Sequence, residues 1–352
     1  GGMSVSVDVR EPGQWAFPAS VAVPARGYLV LWCDGAQPPS TNAGSLLNVG
    51  RALDGSSGGV YLFTAAGQLA SSVEYGPQAE NFPLGRVGAA WRLLQTATPG
   101  ATNAAAAALG AASALRINEW MANPADGDDW FELYNTNTLP VDLSRLYLSD
   151  DLSLAGQTNH IIAPLSFIGP RRWVTWIADG NPENGRHHVN FALDAAGDSI
   201  RLYATNFTVI DTAFFGRQLP DVSEGRLLDG ETNLVAFPGS PTPGESNYRR
   251  IENVVIDEIL THTDPPLEDT IELLNIGSAV ASIGGWFLSD SPDNFRKFRL
   301  APETVLVPGS FAAIPETAFN TGSNAFALSS AHGGELWLSA ADAQGNLTGD
   351  RT

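Results

Sequence analysis

The densest group of chemically capable side chains in the sequence is Asn123, Asp126, Asp128 and Asp129, set between two apolar runs. A matching loop later in the chain carries Asp264, Glu268 and Asp269. Several carboxylate and carbonyl oxygens on a flexible loop are what calcium takes as ligands. The spacing is not that of an EF-hand, whose ligands fall at fixed positions. The same residue types, with Pro124 and Gly127 among them, also build turns that hold no metal. Two readings therefore stand: a calcium site drawn from Asp126, Asp128, Asp129, Asp264, Glu268 and Asp269, or an ordinary solvated turn, which is the weightier. No other cofactor is indicated.

Other candidates are weaker. Glu119 returns as Glu258, and Glu132 as Glu272; paired carboxylates serve as acid and base in glycoside hydrolysis. Alternation along a strand sets Phe131 and Leu133 on one face and Glu132 on the other, solvated or accepting backbone N–H groups, and this structural role is the stronger reading. Gly55-Ser56-Ser57-Gly58-Gly59 has the letters of a nucleophile elbow, but that elbow needs a strand-to-helix turn. His160, His187, His188, His262 and His332 show no zinc spacing, and neighbouring His187 and His188 on a strand would point to opposite sides. Trp91, Trp130, Trp173, Trp176, Trp286 and Trp337 sit in strand patterns; most read as core, a few as an exposed platform for sugar or protein. No Gly-rich phosphate loop precedes a helix. The sequons at Asn206 and Asn346 matter only in a secretory eukaryotic host.

The elements that position these residues repeat. Residues 117–121, Ile-Asn-Glu-Trp-Met, return at 256–260 as Ile-Asp-Glu-Ile-Leu. Phe-Glu-Leu-Tyr-Asn at 131–135 returns at 271–275 as Ile-Glu-Leu-Leu-Asn, and Leu-Tyr-Leu-Ser-Asp at 146–150 as Trp-Phe-Leu-Ser-Asp at 286–290. The period, about 140 residues, is that of a domain rather than a solenoid unit. The short apolar or alternating runs, bounded by Gly, Pro, Asn and Asp, read as strands, and no helical periodicity competes. The expected architecture is all-β, with tandem immunoglobulin-like antiparallel β-sandwich domains. Its boundaries read as a first copy at 1–103, an Ala-rich linker at 104–114, a complete copy at 115–247, a short linker at 248–252 and a third copy at 253–352. Gly1-Gly2-Met3 aligns with Gly284-Gly285-Trp286 in mid-domain, so the first copy reads as truncated at its start and the third at its end. Half a sandwich exposes its core face, so both are expected to fold only in part. The linker at 104–114 reads as flexible or partly helical, and the join at 248–252 as short enough to restrict the angle between copies.

Composition narrows the function. A net charge of −19 without a basic run argues against direct binding to nucleic acid. Gly at 36 and Pro at 23, with only 16% charged residues, suit a turn-rich β protein. A single cysteine, Cys33, forbids an intrachain disulfide, and its apolar run 28–33 marks it as a small buried residue. No stretch approaches the apolar length of a membrane span, and no signal peptide is visible.

Taken in order, these segments resemble the lamin-tail domain, the immunoglobulin-like sandwich of nuclear lamins and of many bacterial secreted proteins. Ile-Asn-Glu-Trp-Met at 117–121, Trp-Phe-Glu-Leu-Tyr-Asn at 130–135, Val-Asp-Leu-Ser…Leu-Tyr-Leu-Ser-Asp at 141–150 and the closing Pro-Gly…Asn at 243–247 carry the likeness, and the third copy repeats the first three. The resemblance implies a fold and no catalytic residues. It implies a non-catalytic module of an exported bacterial protein, extracellular or at the cell surface, that spaces or binds a protein or glycan ligand. Two alternatives remain: an accessory region of a larger extracellular enzyme, such as a nuclease or CotH-like kinase, or a glycan-binding module. No heptad rod is present, so no filament role follows.

Overall fold

A computed structural model describes residues 2–42 and 46–352. The chain divides into two compact units, Gly1–Pro220 and Asp221–Thr352. Strands dominate both. Among the described residues no helix is long and apolar enough to cross a membrane.

In the first unit, the middle copy is a sandwich. Leu115–Met121, Trp130–Asn135 and Trp173–Ile177 run antiparallel on one side, with Trp130–Asn135 between the other two. On the other side, strand order is His160–Ile161, Tyr147–Ser149, Asp198–Tyr203 and Val209–Phe215. The first sheet sends in Ile117, Phe131, Leu133 and Trp176, and the second sends in Leu148, Ile200, Leu202 and Ala213, all buried in one core. Apolar burial of this kind is the main driving force for closing two sheets on each other. The first copy contributes a four-stranded sheet, Trp15–Ala16, Ser4–Ser6, Gly58–Phe63 and Leu69–Tyr75, over a small core of Val5, Trp15, Leu47 and Val49. Half-buried Cys33 packs on that core, and burial pushes its thiol up.

In the second unit, the hairpin Val222–Arg226 and Leu234–Pro238 precedes the third copy. That copy has one sheet ordered Arg249–Arg250, Leu347–Arg351, Trp337–Ala341, Phe287–Ser289 and Phe298–Arg299. Its second sheet is ordered Val254–Leu260, Thr270–Asn275 and Phe311–Pro315. The two close over Val254, Ile271, Leu273, Leu288 and Leu338. Both of these sheets contribute walls to the core of the third copy.

The repeat extends to fine geometry. Ser6, Ser149 and Ser289 are all fully buried, and each accepts the amide two residues on, from Asp8, Asp151 and Ser291. The turn before that strand needs a left-handed residue: Gly2 at φ 86°, Arg145 at 64° and Gly285 at 85° occupy it. The same turn and the same serine hydrogen bond thus recur at three places in the chain.

Candidate functional site

The acidic loops are built as latches. In the middle copy Asp126 and Asp128 are exposed, on either side of Gly127 at φ 89°. Asp129 turns inward. Its carbonyl accepts the amide of Ala178 at 2.7 Å, and its Oδ2 accepts that of Leu193 at 3.0 Å. Burial pushes the Asp129 carboxyl up, the Leu193 amide pulls it back, and Asp128 adds a smaller upward push. Asn123 does not face these carboxylates; its Nδ2 donates to Gln218 O at 3.3 Å.

The third copy repeats the plan. The Asp269 carbonyl accepts the amide of Glu316 at 2.7 Å, and its Oδ1 accepts the Thr263 hydroxyl at 2.9 Å. Glu268 Oε2 takes the amide of Thr317 at 2.9 Å, at the start of the short helix Glu316–Phe319. Asp264 is exposed and holds the Leu267 amide through its carbonyl at 3.0 Å. Among the described residues no group of three or more His, Cys, Asp or Glu is placed to hold a metal ion. Asp129, Glu268 and Asp269 accept N–H and O–H groups, as turn residues do.

Glu119 and Glu132 stand directly opposite each other across their strands and are both fully buried. Glu132 takes the Asn118 Nδ2 at 2.8 Å. A solvated Glu132 is thus ruled out, because both faces of Trp130–Asn135 are covered. Neither carboxylate reaches solvent to meet a sugar. The segment 55–59 is a turn entering a strand: Asp54 Oδ1 accepts the Ser56 amide at 2.8 Å and its hydroxyl at 2.7 Å. His187 ends a turn and His188 forms an isolated bridge with Ile177; their ring centres are 4.5 Å apart, so they do not point to opposite sides. His188 Nδ1 meets Asp179 Oδ2 at 2.8 Å. The tryptophans singled out from sequence are all buried or half-buried; the exposed one is Trp32, at 50%, near Tyr28 at 52%.

Two joins have contacts that the sequence does not show. Within the first unit, copies one and two are packed together. Phe167 N donates to Pro77 O at 2.7 Å, and Gln78 Nε2 donates to Leu165 O at 2.6 Å. Glu74 pairs with Arg186, and Glu80 lies 3.6 Å from Arg172. Ala79, Leu93 and Phe167 form a buried cluster here, with Phe82, Leu84, Ala107 and Leu165 packed against it. The Ala-rich stretch is an extended strap rather than a free or helical spacer, save for the single turn Ala112–Ala114. Gln95 N donates to Ala105 O, Ala107 N to Leu93 O and Gly110 N to Pro140 O, at 2.8 to 3.0 Å. Those bonds outcompete the marginal helical preference of so short an Ala run.

Within the second unit, Arg351 is the pin. It is 4% exposed, and its Nη2 donates to Ser246 O and Asn247 O, each at 2.8 Å. Its guanidinium lies 3.9 Å from the Phe295 ring centre and 4.9 Å from that of Tyr248. Asp229 takes the Ser246 hydroxyl at 2.6 Å and the Asn247 amide at 3.0 Å. The closing Pro-Gly…Asn segment is thus fixed to the strand Leu347–Arg351 by a buried, hydrogen-bonded cation, which costs little only when its partners are complete.

Residues 109–217 match the family model of the Lamin Tail Domain. No curated protein and no solved structure matches the chain. The matched stretch runs from the strap through Val209–Phe215 and contains the sandwich core of the middle copy.

Proposed function

We propose, from the premise that residues 109–217 are lamin-tail-like and immunoglobulin-like in fold, that the chain is a non-catalytic module of an exported bacterial protein. It acts at the cell surface by spacing and presenting binding surfaces. The observation that carries this reading is the packed join between copies one and two, with its buried Phe167 cluster and hydrogen-bonded strap. A catalytic domain needs a cleft, whereas an array that spaces needs fixed joins. Loops and edge strands on such a frame are the usual binding surfaces. Amide hydrogen exchange tests it: the amides of Gln95, Ala107 and Phe167 should exchange as slowly as those of the sandwich strands. Fast exchange at all three would make the join a loose tether and end the spacing argument.

A carbohydrate ligand is the second reading, favoured by one feature. Tyr28, Val30 and Trp32 alternate outward from an extended segment, and Leu29, Leu31 and Cys33 pack inward on the first copy's core. Exposed aromatic faces stack on the apolar faces of sugar rings. Binding on a glycan array that Trp32→Ala abolishes would establish it, and a blank array would remove it.

A further inference from the structure

Asn184-Gly185 is the one Asn-Gly pair in the sequence, and it sits in the loop after the strand Trp173–Ile177 of the middle copy. A backbone nitrogen that follows an Asn can attack that side chain's Cγ and close an imide ring. Glycine leaves the approach least hindered, because it has no Cβ. Two things ordinarily hold the reaction back: the amide nitrogen keeps its proton, and the side chain turns freely.

The loop answers both. Asn184 is exposed, yet its side chain is held: Nδ2 donates to Asp179 Oδ2 at 2.8 Å. The same carboxylate oxygen meets His188 Nδ1 at 2.8 Å, so Asp179 is itself anchored. Among the described residues the Gly185 amide has no acceptor, so no hydrogen bond keeps its proton in place. The imidazoles of His187 and His188 press on Gly185. A Cβ there would lie 3.1 Å from His187 Cε1 and from His188 Cδ2, and 3.3 Å from His187 Nδ1. That Nδ1 is buried and makes no hydrogen bond. Burial, and after it repulsion from His188, lowers the His187 pKa, so the ring is uncharged at neutral pH. With Nε2 carrying the proton, Nδ1 is the bare nitrogen that accepts another.

We propose that Asn184-Gly185 is a self-processing site, at which the folded loop converts Asn184 to aspartate and isoaspartate. The Gly185 N–H gives its proton to His187 Nδ1 as the nitrogen bonds to Asn184 Cγ. The Cγ–Nδ2 bond then breaks, and the amide nitrogen takes the proton back from His187 and leaves as ammonia. Water opens the imide at either carbonyl, giving aspartate or isoaspartate, and no oxidant or other reactant is consumed. The new carboxylate stands beside Asp179 where an amide donor stood, and like charges so placed repel. The hydrogen bond that holds the loop to Asp179 is lost with it.

The test incubates the full chain at neutral pH and follows residue 184 by peptide mass, with fragmentation that separates the two linkages. The folded chain should convert faster than the same chain unfolded in urea, because only the fold brings His187 to Gly185. His187→Phe should slow the folded chain about tenfold or more, the loss of a positioned base. Asn184→Gln should abolish the conversion, since the longer side chain closes the ring poorly. No conversion in the parent, faster conversion in urea, an unchanged rate in His187→Phe or conversion that persists in Asn184→Gln would each overturn the proposal.

Discussion

The amide of Phe167, in the middle copy, donates to the carbonyl of Pro77, in the first, at 2.7 Å. The Phe167 side chain is buried beside the same contact, in the cluster with Ala79 and Leu93. One residue thus closes a backbone bond and an apolar seam between two copies. A surface ion pair such as Glu80–Arg172 adds little on its own, because solvent screens it. The buried aromatic carries most of the join.

Asn135 and Asn275 perform one task in two copies. Asn135 Nδ2 donates to Leu139 O at 2.8 Å and Gly169 O at 2.9 Å; Asn275 Nδ2 donates to Ala279 O at 2.9 Å and Leu306 O at 2.8 Å. Both are fully buried. Asn135→Asp or Asn275→Asp sets a carboxylate against two carbonyls and should cost about 3 kcal/mol or more. Denaturant unfolding of each variant should show a loss in the unit that carries it. A loss below about 1 kcal/mol in both would contradict this role.

Arg145 holds at φ 64° a position that Gly2 and Gly285 fill in the other copies, and its side chain is exposed. Arg145→Gly relieves the left-handed strain and gives back part of that gain through the freer unfolded chain. A net gain of about 0.5 to 1 kcal/mol is expected, read as a higher melting temperature. A lower one would mean that the Arg145 side chain contributes more than its exposure implies.

Acid should weaken the first unit. Burial lowers His160 from 6.5 to about 4, and burial followed by repulsion from His188 lowers His187 in the same direction. Through His160, between pH 6.5 and about 4 the unfolded chain binds more protons than the folded one, and His187 acts in the same direction. Stability is fully present above that window and is lost as pH falls through it. Asp129 and Asp150, raised by burial, oppose the trend only near the carboxylate range. Melting temperatures from pH 7 to 4.5 should fall, and His160→Gln should flatten the slope. An unchanged slope in that variant would remove His160 as the cause.

Chelation decides the fate of the acidic loops. Asp129, Glu268 and Asp269 already hold N–H or O–H donors, so excess EDTA should leave the melting temperature where it is. A fall that calcium reverses would return the six carboxylates to the status of ligands.

The sandwich was legible because the repeat put the same short strands in the same order twice. Glu132 was misjudged in part because alternation predicts which face a side chain takes, and not whether that face is covered. Asn135 and Asn275 stood in the repeat, yet their partners lie as far away as Gly169 and Leu306, and no local pattern reveals them. The contact between copies one and two was missed for the same reason: Phe167 and Pro77 are ordinary letters until the chain brings them together. His187 and His188 would point to opposite sides of a strand, but the turn that ends at His187 sets their ring centres 4.5 Å apart.

The central claim is that the first two copies are fastened into one rigid piece. Spin labels at Ser71→Cys and Thr205→Cys, both exposed, in a Cys33→Ala background place one probe on each copy. Pulsed electron–electron resonance should give a single narrow distance distribution that Phe167→Ala broadens, with a stability loss of about 3 kcal/mol or more. A broad distribution in the parent chain would contradict the account, since copies that move freely cannot set a spacing.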